Sequence, residues 1–142
     1  MSIMQERRTR QPSALFVKLA QRQLAELSSS VSGINTVVLA SGDGFEVVKV
    51  TNQGNLDSGK IAAVSSSILS MVQAFSSEIK MINCQSLILD ADNGKAIIAG
   101  VPCKQFPMVM VVLTSEQALL GQVLHGMRNC SQHLMANDFM FE

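Results

Sequence analysis

The sequence predicts an α+β fold, ordered α-β-β-α-β-β-β-α, with helices on both faces of a five-stranded antiparallel sheet. Three observations carry that prediction. Ser41-Gly42-Asp43-Gly44 and Asp92-Asn93-Gly94-Lys95 each separate two short apolar runs, the pattern of β-hairpins. Between the hairpins, the stretch 56–80 repeats its large apolar residues at helical spacing. The runs VVLA, LIL, AIIA and MVMVVL are continuous rather than alternating, so the sheet needs cover on both faces. The long middle helix is placed on one face and the two terminal helices on the other.

Residues 1–11 read as a tail, 12–136 as one domain and 137–142 as a second tail. Arg7, Arg8 and Arg10 make the first tail able to touch an acidic partner, although a solvated tail needs no such role. Pro12 suits the first turn of a helix, and Phe16, Leu19, Ala20, Leu24 and Leu27 then follow at helical spacing. Ser28 to Ser30 and Gly33 end it. Residues 34–40 (INTVVLA) and 45–50 (FEVVKV) form the first hairpin, where Gly42 and Gly44 can take positive φ. Residues 86–90 (SLILD) and 96–101 form the second, with Asn93-Gly94 as its turn, and 108–113 (MVMVVL) is the fifth strand. Thr114 with Gln117 has capping-box spacing for the last helix, whose core stripe is Leu120, Val123, Leu124, Met127 and Leu134. Gly121 and Gly126 inside that helix each cost about 1 kcal/mol against alanine, which points to close packing there.

Composition narrows the function. The chain has 142 residues, enough for one domain with a real core, and 47% of them are hydrophobic while only 15% are charged. So little charge fits a protein that hides surface in an oligomer. The zero net charge argues against nucleic acid or an anionic membrane as partner, and the absence of Trp and Tyr removes the aromatic platforms of single-strand binders. No stretch has the length and apolarity of a membrane span or of a secretory signal. Three cysteines without dense spacing fit a reducing compartment, hence a cytoplasmic location.

The middle helix is the informative element. Asp57 is placed to cap it and Leu56 to pack on Ile61. Ile61, Val64, Ile68, Met71, Val72, Phe75 and Ile79 gather on one side, read as the core face. The other side carries Ala62, Ala63, Ser66, Ser67, Ser70, Gln73, Ala74 and Ser77, and no charged residue occurs from Ile61 to Ser77. Solvated helix faces carry Lys, Glu or Arg. A face of alanine and serine lets another backbone approach, so this side is read as a contact surface.

The residues Val31-Ser32-Gly33-Ile34, the strand ending in Ser41-Gly42-Asp43-Gly44-Phe45, the small-residue helix after Asp57 and Leu119-Leu120-Gly121 together resemble the Roadblock family, the dynein light-chain and bacterial regulator group related to longin domains. The resemblance runs from about Leu27 to Leu134. It implies a homodimer in which the long helices of two copies pack together and the third strands pair, through Ser86, Leu87, Ile88 and Leu89. It also implies binding or regulation of a Ras-like small GTPase, or alternatively a structural scaffold in a motility or signalling complex. It implies no enzyme and no cofactor. The residues support the dimer independently, because an apolar edge such as SLILD is an aggregation hazard unless it is covered, and a two-fold axis would cover it with its own copy.

Several chemical signals are weaker. Gly54-Asn55-Leu56-Asp57-Ser58-Gly59-Lys60-Ile61 nearly spells a phosphate-binding loop, but Ile61 stands where a magnesium-binding hydroxyl belongs and Asp57 sets a negative charge where phosphates would lie. If Asn93-Gly94 is the turn, the register sets Cys84 opposite Cys103. A cross-strand disulfide would then be conceivable, against the plainer reading of two reduced thiols. His125 and His133, eight positions apart with Cys130 between them, lack the i, i+4 pairing and the carboxylate of a helical metal site. No Ser/His/Asp set is identifiable. No arginine is marked as a catalytic finger, Arg128 in the last helix included.

Overall fold

The computed structural model of the chain describes residues 12–138. Residues 1–11, with Arg7, Arg8 and Arg10, and residues 139–142 of the second expected tail lie outside the described residues. The elements are α1 (Ala14–Ser30), β1 (Ile34–Ser41), β2 (Glu46–Thr51), α2 (Ser58–Glu78), β3 (Ser86–Ala91), β4 (Gly94–Val101), β5 (Met108–Ser115) and α3 (Leu120–Ala136), in the predicted order. The sheet order is β2-β1-β5-β4-β3, and every pairing is antiparallel. β5 returns between the two hairpins and joins them, so β1, β5 and β4 form the middle of the sheet, while β2 and β3 are its edges.

The continuous apolar strands are covered on both faces, as their sequences require. On one face Val37, Leu39, Ile97, Met110 and Val112 pack against α1 and α3 through Phe16, Leu24, Val123 and Leu134. Phe16, Leu24, Leu39, Met110 and Leu134 are fully enclosed, and each such side chain contributes about 1.5–3 kcal/mol relative to exposure. On the other face Val38, Ala40, Ile98, Val109 and Val111 meet α2 alone.

The helix starts differ from expectation at two places. α1 is capped by Ser13, whose Oγ accepts the Phe16 N–H at 3.2 Å, so Pro12 precedes the cap. α3 begins at Leu120 with no side-chain cap. Thr114, expected to cap it, instead remains in β5, where its Oγ1 accepts the Lys95 N–H at 3.2 Å. The two glycines of α3 also divide. A Cβ on Gly126 would press on Leu27 and Val31 of the α1 segment, whereas Gly121 faces open space. Only Gly126 marks a close helix contact.

The second hairpin turns one residue earlier than expected. Asp90 pairs with Lys95 and Ala91 with Gly94, leaving Asp92-Asn93 as the turn. Lys95 Nζ and Asp90 Oδ1 form a cross-strand ion pair at 3.3 Å. The physical reason lies in β5: Gly94 has φ +154°, and a Cβ there would run into the Thr114 carbonyl oxygen, so the glycine serves the strand packing and not the turn. The ladder between β3 and β4 stops at Ser86↔Ala99, and its register, continued, would set Cys84 level with Val101. The Cys84–Cys103 pairing is thereby excluded, and all three cysteines are free thiols. Burial, with a smaller contribution from the Asp138 charge, pushes the Cys103 thiol up to about 11. Burial, then Glu26, pushes Cys130 up to about 12.

Gly94→Ala is expected to lower stability by about 2–4 kcal/mol, because a backbone oxygen cannot yield as a side chain can; urea unfolding against the wild type measures it. Iodoacetamide at pH 8 is expected to label Cys84 first. Cys103 and Cys130 hold thiolate in at most about one molecule in a thousand at that pH, so their labelling is expected to quicken from pH 8 to pH 10 as the thiolate population rises, and to become immediate in denaturant.

Candidate protein-interaction surface

α2 begins where the sequence marks it. Asp57 caps the helix, its Oδ1 accepting the Lys60 N–H at 3.1 Å. That carboxylate occupies the helix end where a bound phosphate would sit, and the preceding strand β2 is an antiparallel edge. The loop 54–61 is therefore a capped helix start and not a nucleotide cradle.

The buried face of α2 is turned about a quarter of the way round the helix from the one the apolar periodicity predicts. The buried positions are Ser58, Ala62, Ser65, Ser66, Leu69 and Ser76, with Val72 half-buried. This stripe, and not the large apolar one, lies against the sheet. Ala62 is enclosed by the strands of its own chain, and the Ser66 hydroxyl donates to the Gly42 carbonyl. Ala62 and Ser66 are thus corrected from contact-surface residues to core residues. Small side chains let the helix sit close to strands already filled by valine and isoleucine. The buried hydroxyls cost little because they find acceptors, Ser76 giving its proton to the Val72 carbonyl at 2.8 Å. No buried side-chain nitrogen or oxygen among the described residues lacks a partner. Close approach recurs at Gly44, where φ is +93° and a Cβ would press on the Ala63 backbone.

The side expected to be core is correspondingly turned out. Val64 is 48% exposed, Met71 70%, Phe75 63% and Ile79 48%. Ile61 and Ile68 are half-buried and adjoin Leu87 and Leu113 around the same small core. Ala63, Ser67, Ser70, Gln73, Ala74 and Ser77 are exposed beside the apolar stripe. The outer surface of α2 therefore combines both residue sets named above, less Ala62 and Ser66. It has no charge between Ile61 and Ser77.

This surface runs on to β3. Leu87 and Leu89 share one strand face by alternation; Ser86 and Leu87 are half-buried, and Ile88 and Leu89 are exposed. Among the described residues no strand flanks the outer edge of β3. The linker between α2 and β3 adds exposed Met81 and Ile82, and it holds Lys80 and Asn83 in the left-handed region at φ 61° and 56°. In the lone chain, then, one helix face, one linker and one strand edge present apolar groups together.

The other candidates do not converge. His125 and His133 are exposed on α3, where Asn129 bonds both: its side chain meets His125 at 3.3 Å and its carbonyl meets His133 at 2.8 Å. Cys130 between them is buried. Among the described residues no three His, Cys, Asp or Glu stand close enough to hold a metal ion. Arg22 on α1 and Arg128 on α3 belong to the helix layer across the sheet from α2. No described helix is long and apolar enough to cross a membrane.

No protein-family model and no curated protein matches this sequence. Solved structures do match its fold. MglB of Myxococcus xanthus superposes with a TM-score of 0.76 at 14% identity, over 87% of this chain and 90% of that one. The gliding protein MglB of Thermus thermophilus gives 0.77 at 14% identity, over 87% and 91%. A Roadblock/LC7 domain from Streptomyces avermitilis gives 0.73 at 14% identity, over 82% and 94%. These superpositions extend over most of each chain, and the chain has the Roadblock/LC7 fold.

Proposed function

We propose that this protein is a homodimeric docking module that acts on a Ras-like small GTPase. The observation that carries the dimer is the exposure of Val64, Met71, Phe75 and Ile79 beside the open edge of β3. A monomer gains nothing from exposing these side chains, and burial of each would return up to about 1.5–3 kcal/mol, less for the half-covered Val64 and Ile79. A second copy related by a two-fold axis offers the same stripe and the same edge, so the contact is self-complementary. Pairing β3 with its copy would extend the five-stranded sheet across the axis and remove the hazard of an apolar edge. Ala63, Ser67, Ser70 and Ala74 flank the stripe and set how closely the two helices meet.

The GTPase partner rests on the Roadblock resemblance and on fold neighbours described as MglB, one of them as a gliding protein. A platform of this kind recognises its partner by area and shape. Among the described residues neither α2 nor β3 carries an arginine, and Arg22 and Arg128 stand on α1 and α3. Any effect on hydrolysis would then come from selecting one conformation of the partner's own switch segments. The protein supplies no catalytic group in this reading. The rival is a structural adaptor in a motility or signalling assembly, which would use the same platform without sensing nucleotide.

Light scattering at micromolar concentration is expected to give twice the chain mass. Met71→Glu with Phe75→Glu is expected to weaken self-association at least about a hundredfold, because burying the four carboxylates together would strand unpaired charge. Helix content should not change, since both side chains are exposed within one chain. A wild-type monomer, or an unweakened double variant, would remove the interface. Co-purification with a Ras-like GTPase from the same cell, loaded with GDP or with a GTP analogue, is expected to show nucleotide-dependent capture. Equal capture in both states would favour the adaptor.

A further inference from the structure

We propose that a cavity at one end of the sheet, which adjoins the α2 platform at Ser70 and Gln73, binds an anionic amphiphile: a carboxylate or phosphate head on a short unbranched apolar body. β4 runs past β3 at that end. Their pairing stops at Ser86↔Ala99, while Gly100 and Val101 continue against β5 alone. The space left open, about 970 Å³, lies between the rim of the sheet, one flank of α2 and one flank of α3, and is large enough for a small organic ligand.

Its chemistry is uneven in a way that selects a ligand. Leu69, Met108, Met110 and Met127 line it and are themselves buried. Methionine side chains conform readily to a flexible apolar chain. Among the described residues Arg128 is the one charged residue of the lining, which also includes neutral amides such as Gln73 and Gln132. Among the described residues no aspartate or glutamate lines the cavity, and no carboxylate stands within ion-pair distance of Arg128. Its guanidinium offers five N–H donors and no acceptor, in a fork that fits a carboxylate or phosphate. The buried apolar part of a mixed lining, beside a cation with no ion-pair partner among the described residues, matches a molecule with a single negative end. Neither a cation nor a dianion with charge at both ends satisfies that pattern.

The test is calorimetric titration of the full-length protein with decanoate, decyl phosphate, decanol and acetate, each below its micelle concentration. Saturable one-site binding is expected for at least one of the two long-chain anions, with decanol and acetate at least tenfold weaker. The stronger of decanoate and decyl phosphate identifies the head group. Arg128→Gln is expected to weaken the anion at least tenfold and to leave decanol unchanged, whereas Arg22→Gln on α1 leaves both unchanged. Arg128 is exposed, so the variant should unfold at the wild-type urea midpoint. Failure of both long-chain anions to saturate below millimolar, decanol binding as tightly as the anion, or undiminished anion binding by Arg128→Gln would each overturn the proposal.

Discussion

The close contact between the small side of α2 and the sheet governs what the rest of the molecule can do. Val38, Ala40, Ile98, Val109 and Val111 already fill that face of the sheet, so the helix side seated deepest on it is built from alanine, serine and one leucine, with Ile61 and Ile68 at its margin. Close packing leaves no room to rotate a phenylalanine or methionine inward without forcing the helix away. Once Ala62 and Leu69 are seated, the geometry of an α-helix sends Met71 and Phe75 outward. An apolar outer face is thus the direct consequence of a tight inner one.

The two sides of the sheet divide the work. The α1–α3 side holds the large enclosed core, with Phe16, Leu24, Met110 and Leu134 at its centre, and this core accounts for most of the burial in the chain. The α2 side has a thin core, too small to use every apolar residue of its helix. Stability is thus concentrated on the α1–α3 side. Arg22, Arg128 and both histidines sit on α1 and α3, while the run from Ile61 to Ser77 of α2 carries no charge.

Element existence and order were legible because they rest on local rules. The glycine-bearing turns, the apolar strands and the Asp57 cap each specify their own neighbourhood. Details that depended on a distant partner were not legible. Asn93-Gly94 has the composition of a turn, yet Gly94 answers to the Thr114 carbonyl of β5, twenty positions on, and the register moved with it. Thr114 has capping spacing to Gln117, but its hydroxyl is taken by the Lys95 backbone across the sheet. For the site, the uncharged run from Ile61 to Ser77 and the edge strand β3 were readable as surface of interest. Which side of the helix faced outward was not, because periodicity reports that a helix has two unlike sides and says nothing about which one its own sheet has room for.

By itself, then, the sequence determined the fold class, the order of elements, the helical layering about the sheet and the unusual neutrality of α2, since each follows from short-range propensity and from the two-sided burial that continuous apolar strands demand. Only the tertiary structure decided the orientation of α2, the register of the second hairpin and the opening beyond β3 where Arg128 stands. Those depend on the volume available between packed elements, and volume is a property of residues brought together from across the chain.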